Sequence, residues 1–233
     1  MKRTLALLTI LVSLAAAPAR GADEEGFVSL FNGKDLSGWK GDKEFWSVQD
    51  GTLTAKTGEG SRLTKEKYNT FLIWEGGKPA NFELRLKYKI VGGNSGVQYR
   101  SKVLDDAKFI VGGYQADIDS APKYSGMCYE EKFRTILAER GQKVTIGADG
   151  KKEIAPIGDK DELQAKIKNE DWNDYRIVAQ GNHLQHYING VLMSEVIDNQ
   201  KDKAATSGVI ALQAHQGFVM TVQFKDVRLK ELK

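Results

Sequence analysis

Apolar and polar residues alternate one by one along much of the chain. Phe82, Leu84, Leu86, Tyr88 and Ile90 interleave with Glu83, Arg85, Lys87 and Lys89. A period of two sends one set into a core and the other into water, which is the signature of a half-buried strand. The same reading predicts strands over 97–100, 113–118, 175–180, 183–188, 208–215 and 221–232. Asp50-Gly51 separates FWSVQ from TLTA, and Asn189-Gly190 separates HLQHYI from VLMSEVI. Both pairs suit the positive φ angles of tight hairpin turns. One segment, 161–168 (DELQAKIK), predicts a helix, because its acids lead and its lysines end the run. The stretch 141–158 reads as a long insertion loop. About a dozen short strands in one domain imply an all-β, two-sheet β-sandwich or jelly roll with one short helix.

The N-terminus follows a different pattern. Lys2 and Arg3 precede an apolar run, and Ala17-Pro18-Ala19 then supplies small residues. That is the layout of a secretory signal peptide, here residues 1–19 with cleavage near Ala19. The apolar run is about 14 residues, short of the ~20 that cross a bilayer as a helix. The mature chain, with its domain at 26–233, is therefore expected to be periplasmic or secreted and to have no membrane span. With 41% hydrophobic and 28% charged residues, the composition is that of a folded protein. Loss of Lys2 and Arg3 lowers the net charge from +3 to near neutrality, 32 basic against 31 acidic residues. Such a balance excludes the concentrated basic surface that nucleic acid requires. Cys128 is the single cysteine, so no internal disulfide can form and stability rests on a large core.

The same period sorts the candidate chemistry. In 208–215, Ile210, Leu212 and Ala214 turn to the core, which leaves Gln213 and His215 on the opposite face. Gln115, Asp117 and Asp119 share one face, and so do Gln98 and Arg100. Arg100 beside a carboxylate-bearing strand suits a sugar hydroxyl or an ion pair with Asp117. His183 and His186 are three apart and lie on opposite strand faces, so they cannot chelate one metal together. Asp117 and Asp119 are candidates for a divalent cation such as calcium, which takes oxygen ligands. Trp74, beside Glu75-Gly76-Gly77, is the best candidate for an exposed sugar-stacking platform.

Several longer motifs carry a resemblance. LFNGKDLSGW (30–39), FWSVQDGTLTA (45–55) and FELRLKYKI leading into GGNSGVQYRS (82–101) come first. WNDYRIVAQGNHLQHYINGVLMSE (172–195), GVIALQAHQG (208–217) and the closing FKDVRLKEL follow. Together they resemble the 3-keto-disaccharide hydrolase family over roughly 26–232. The resemblance implies a concanavalin A-like jelly roll and action on 3-keto-glycosides or related oligosaccharides. It also implies a place downstream of a sugar 3-dehydrogenase. The chain departs from the family's Gly-Tyr-Glu-x-Gln at Gly113-Tyr114-Gln115-Ala116-Asp117, where amide and carboxylate are exchanged. Both stay on one face, with the carboxylate displaced ~6–7 Å along the strand. Glu130, in MCYEEKFR, resembles a later family position and could restore a second acid.

A ketone at C3 of a sugar acidifies the C2 proton. Its removal, loss of the C1 substituent by β-elimination and addition of water give net hydrolysis. The chemistry needs a base, an acid and an enolate stabiliser. His215 suits base or acid, Asp117 or Glu130 the partner, and Arg100 or a bound divalent metal the enolate. Asn94, Arg100, Gln115, Gln213, His186 and Trp74 are the candidate substrate contacts, and His186 can equally be a structural histidine. The laminarinase-type pattern Glu-x-Asp-x-x-Glu is broken, since Pro122 stands three beyond Asp119. Two other readings stand beside the enzyme: a non-catalytic carbohydrate-binding module, and a structural or adhesion domain.

Overall fold

Two sheets take up the alternating segments, and their facing sides make the core. The structure is a computed structural model that describes residues 25–233. The signal-peptide segment 1–19 lies outside the described residues. In chain order the strands begin with β1 (Val28–Ser29), β2 (Trp39–Lys40), β3 (Trp46–Gln49), β4 (Thr52–Thr57), β5 (Thr70–Trp74) and β6 (Phe82–Val91). There follow β7 (Asn94–Asp105), β8 (Ile110–Asp119), β9 (Cys128–Glu131), β10 (Thr135–Ala138), β11 (Gln142–Ile146) and β12 (Lys152–Pro156). The last are β13 (Asn173–Gln180), β14 (His183–Ile188), β15 (Val191–Asp198), β16 (Val209–Ala214) and β17 (Met220–Glu231). One sheet runs β12-β11-β15-β14-β13-β6-β17-β4-β3, with β1 also on β17. The other runs β10-β9-β8-β7-β16-β5-β2. The all-β sandwich expected from the alternation is what the chain forms.

The hairpin signals sit where the strands turn. Asp50 and Gly51 have φ of 48° and 71°, and Asn189 and Gly190 have 50° and 81°. Two predictions need correction. The stretch 141–158 is no insertion loop: β11 and β12 form a hairpin there, and β11 pairs in parallel with β15. Its alternation is real but short, with only Val144 and Ile146 of β11 buried and all of β12 exposed. The helix is Lys160–Gln164, shorter than expected and capped by Asp159, which accepts from the N–H groups of Asp161 and Glu162. A second short helix, Arg62–Lys65, follows Ser61, whose side chain makes no cap hydrogen bond, and its four residues are too few to carry a helical period.

Tyr114, Ala116 and Ile118 of β8 and Ile210, Leu212 and Ala214 of β16 pack into the core. Their neighbours Gln115, Asp117 and Gln213 therefore face out from the seven-stranded sheet. Alternation fails once, within β7. The β7–β8 register shifts between Tyr99 and Lys102, and Arg100 takes φ 47°. A bulge adds one residue and reverses the faces beyond it. Ser101 then occupies the outer face and donates to Gln98 Oε1 at 2.6 Å. Arg100 turns away and donates to Ala80 O, Gly181 O, Ala205 O and Asn81 Oδ1. Glycines on both neighbouring strands leave room for it. A Cβ on Gly113 would stand 2.7 Å from Ser101 Cα, and one on Gly208 would stand 2.4 Å from Arg100 C.

Between the sheets lies a small polar network. His186 is buried among the rings of Tyr99 and Tyr175, each edge-on to it. A carbonyl can only accept, so the 3.1 Å contact with Met127 O puts the proton on Nδ1. Nε2 then accepts from Tyr99 OH at 2.8 Å. Burial lowers the His186 pKa to about 4, so the ring is neutral. His186 is thus corrected from a substrate contact to an interior group with both nitrogens used.

Two measurements test this account. Gly208→Ala should cost about 1–3 kcal/mol in urea unfolding, because backbone atoms rather than a side-chain tip block the new methyl; an unchanged midpoint would mean that the bulge does not need the space. For His186 the unfolded chain binds more protons between its ordinary 6.5 and the folded value of about 4. Its contribution is therefore whole above pH 6.5 and is lost as pH falls toward 4, amounting to about 3 kcal/mol. The difference between wild type and His186→Gln should follow that pH window, and a difference independent of pH contradicts the assignment.

Candidate active site

A hollow of about 330 Å³ opens on the outer face of the seven-stranded sheet. Asn94, Gln115, Asp117, Gln213 and His215, all singled out by the strand period, line it together with Asp119. Tyr124, Tyr129, Glu131, Ile136 and Phe218 complete the wall. The other part of this face is closed by a second apolar cluster of Phe71, Ile73, Val111, Val209 and Ala211 under Phe109. Asn69 crosses between the two walls of the hollow. Its Nδ2 donates to Glu131 Oε1 at 3.3 Å, and its Oδ1 accepts from Gln216 N at 3.0 Å.

The floor is a directed chain of amides. Asp117 Oδ1 accepts from the backbone N–H of Ile118 at 3.2 Å, from Gln115 Nε2 at 3.3 Å and from Asn94 Nδ2 at 3.4 Å. Gln115 Oε1 in turn accepts from Gln98 Nε2 at 2.7 Å and Gln213 Nε2 at 3.1 Å. Gln213 Oε1 is buried with no donor among the described residues. Asp117 Oδ2 has no hydrogen bond there either. Burial of this carboxyl raises its pKa to about 8, against the pull of its three donors. At neutral pH it holds a proton, and Oδ2 is the oxygen free to carry it.

His215 closes β16 at the mouth of the hollow, with the Phe218 ring 5.1 Å away. Its Nδ1 stands 2.7 Å from Gln216 O, which can only accept. Nδ1 therefore carries a hydrogen, and Nε2 is the ring nitrogen left for a ligand. One pocket thus holds a carboxyl oxygen that carries a proton and an imidazole nitrogen that the protein does not engage.

Other expected site residues lie elsewhere. Arg100 is spent on loop carbonyls, for the reason the bulge supplies. Glu130 faces the interior, where Oε2 meets Arg134 Nε at 2.5 Å and Arg134 also binds Asp198 at 2.7 Å. Its neighbour Glu131 takes the outer face, since one residue along a strand is the other side of the sheet. Alternation counted from Cys128 in the core was the available signal for it. Trp74 lies in a separate cleft with Gly76, Gly77, Pro79 and Asn81. Cys128 is buried, and burial pushes its thiol up to about 12, which leaves it unreactive.

Asp117 and Asp119 do not make a cation site. Asp119 turns its oxygens to the N–H groups of Ala121 and Tyr124, and Asp117 Oδ1 is already filled. Among the described residues no group of three His, Cys, Asp or Glu is placed to hold a metal ion. The residues present therefore do not fit the divalent metal considered from the sequence. A larger hollow, about 430 Å³, lies on the ten-stranded sheet between Arg85, Lys87, Asp174, Arg176, Tyr187 and Arg228. Its charges are paired, with Lys87 on Asp174 at 2.6 Å and Arg85 on Glu83 at 2.5 Å.

Comparison with known proteins bears on the family and the fold. A 3-keto-disaccharide hydrolase of Bacteroides thetaiotaomicron is 34% identical over 83 residues. That match spans 33% of this chain and 28% of the relative. A crystal structure from Parabacteroides distasonis, provisionally described as a glycosyl hydrolase, aligns over 88% of this chain and 99% of its own, with TM-score 0.57 and 20% identity. A carbohydrate-binding module, CBM66, from Bacillus subtilis aligns over 83% of this chain and 96% of its own, with TM-score 0.54 and 15% identity. These two structures share the fold. The model of the 3-keto-alpha-glucoside-1,2-lyase-like domain matches residues 26–230, nearly all of the described chain, and the protein belongs to that family.

Proposed function

We propose that the protein cleaves 3-keto-glycosides in the hollow of the seven-stranded sheet, by C2 proton abstraction, β-elimination and hydration. The observation that carries this reading is the placing in one pocket of Asp117, whose burial raises its pKa to about 8, and His215, whose Nδ1–H goes to Gln216 O and whose Nε2 is left for a ligand. His215 Nε2 takes the C2 proton as the electrons move to the C3 ketone and form the enolate. The electron pair then returns as the C1=C2 bond while the C1–O bond breaks. Asp117 Oδ2–H gives its proton to the departing oxygen. In the second half-reaction water adds across the new double bond: its hydroxyl goes to C1, its proton returns to Asp117, and the proton held by His215 returns to C2. Asn94 and Tyr129 stand among the lining residues that can donate to the ketone oxygen. Ordinary glycosidases instead need two carboxylates flanking C1.

Substrate supply follows from the chemistry. A 3-keto sugar arises by oxidation of a C3 hydroxyl, so a sugar 3-dehydrogenase reaction precedes this one. The N-terminal pattern supports a periplasmic or secreted location, and among the described residues no helix is long and apolar enough to cross a membrane. A second reading, a carbohydrate-binding module without catalysis, is favoured by one observation. Tyr124, Tyr129 and Phe218 ring a polar floor, an arrangement that stacks on sugar faces.

An assay on 3-keto-glucosides of both anomers, with and without divalent metal, separates the two. His215→Ala should lower kcat by about 10²–10⁴-fold. Turnover should also fall as pH rises through about 8, where Asp117 loses its proton. Sugar binding without turnover at any pH supports the binding module instead. Asp117→Asn should abolish activity yet stabilise the fold. Between 3.8 and about 8 the folded state holds a proton that the unfolded chain releases, so the carboxyl costs stability at pH 7. The gain should be roughly 2 kcal/mol or more in urea unfolding at pH 7; a loss of stability would show that Asp117 is ionised in the fold.

A further inference from the structure

Each recorded amide around the pocket gives an N–H to the protein itself. Asn94 and Gln115 donate to Asp117, Gln98 and Gln213 donate to Gln115, and Asn69 donates to Glu131. His215 gives its Nδ1–H to Gln216 O. The donors left toward a ligand are neutral ones: the second N–H of Asn94, the Tyr129 hydroxyl and the Asp117 carboxyl. No Lys or Arg lines the hollow, whereas three carboxyl groups do. Lys132 lies behind Glu131, with Nζ 3.6 Å from Oε1, and is not part of the wall. Asp119 accepts from two backbone N–H groups, and Lys123, which acts on it by charge, is likewise outside the wall.

An independent observation points the same way. Gln213 is fully buried on the pocket floor, and its Oε1 has no donor. Its orientation is not arbitrary. The Ile118 N–H fixes Asp117 Oδ1 as an acceptor, so Gln115 must donate to it through Nε2 and accept through Oε1. Gln213 must then present its Nε2 to Gln115, which leaves Oε1 over. Leaving a buried acceptor unmade is costly, so the floor holds an acceptor that a donor on a ligand can fill.

We infer that the pocket selects glycosides rich in donors and free of negative charge, with a protonated amino sugar bound more tightly than the neutral parent and a uronic acid rejected. This rests on the reading of the hollow as the sugar site. An ammonium group supplies three donors and a charge opposite to Asp119 and Glu131. A uronate brings one more carboxylate to a wall without a cation, and like charges in a partly desolvated site repel strongly.

The test is calorimetric binding of three unreactive methyl glycosides, the glucoside, the glucosaminide and the glucuronide, to the wild-type protein at pH 6.5 and low salt. The expected order is glucosaminide, glucoside, glucuronide, with steps of about tenfold that shrink as salt is added. Asp119→Asn should narrow the spread between the charged glycosides. Glucuronide binding as well as glucoside, or a spread unchanged by both salt and Asp119→Asn, overturns the inference. If the variant fails to fold, the wild-type order and its salt dependence still decide. The two proposals fail separately: graded binding without turnover of a 3-keto-glucoside removes only the catalytic reading, and turnover with a flat or reversed series removes only this one.

Discussion

The backbone N–H of Ile118 meets Asp117 Oδ1 at 3.2 Å, and a backbone N–H can only donate. From that contact the direction of each neighbouring amide follows, through Gln115 to Gln98 and Gln213. The position of Ile118 is itself set by the core, because its side chain is buried between the sheets while Asp117 faces outward. Packing of an apolar side chain therefore determines which oxygen of the next residue is occupied and which is free. The raised pKa of Asp117 comes from burial of the same carboxyl, against the pull of the amides that order it.

The sandwich carries this arrangement without a disulfide. Its interior includes polar groups, and several of them are joined to one another. Tyr99 serves His186, Tyr114 OH reaches Asp198 Oδ2 at 2.5 Å, and Arg134 joins Asp198 to Glu130. Arg140 does comparable work outside the core. It donates to the carbonyls of Pro122 and Ser125 at 2.8 Å and to Lys160 O at 3.0 Å. The loop that carries Tyr124 to the pocket rim is held through these contacts. Buried charges that are fully paired define one geometry, whereas a half-paired set would permit several.

How far the sequence disclosed the molecule depended on whether a period held. Phe82 to Ile90 and His183 to Ile188 kept it from end to end, and their strands stand as read. Gln115, Asp117, Gln213 and His215 came together because each sits on a strand whose other face is strongly apolar. Where the period was weak or interrupted, inference failed. β11 and β12 carry too few buried residues to announce a hairpin. Glu130 and Glu131 are both acids, so only a count from Cys128 separates inside from outside. Asn69 was invisible for another reason: it precedes β5 in a loop, and no local pattern says which distant side chain a loop residue will reach.

Arg100 was misplaced by the most local of causes, one extra residue in a strand. Had alternation continued, its guanidinium would have shared the outer face with Gln98 and stood near the carboxyl groups of the hollow. The bulge sends it instead to the ends of strands in the opposite sheet, and Gly113 of β8 and Gly208 just before β16 leave bare backbone beside it. The placing of a cation is thus tied to two positions that have no side chains. Gly113 and Gly208 make no side-chain contact of their own, yet they give room to the turn that keeps Arg100 off the outer face.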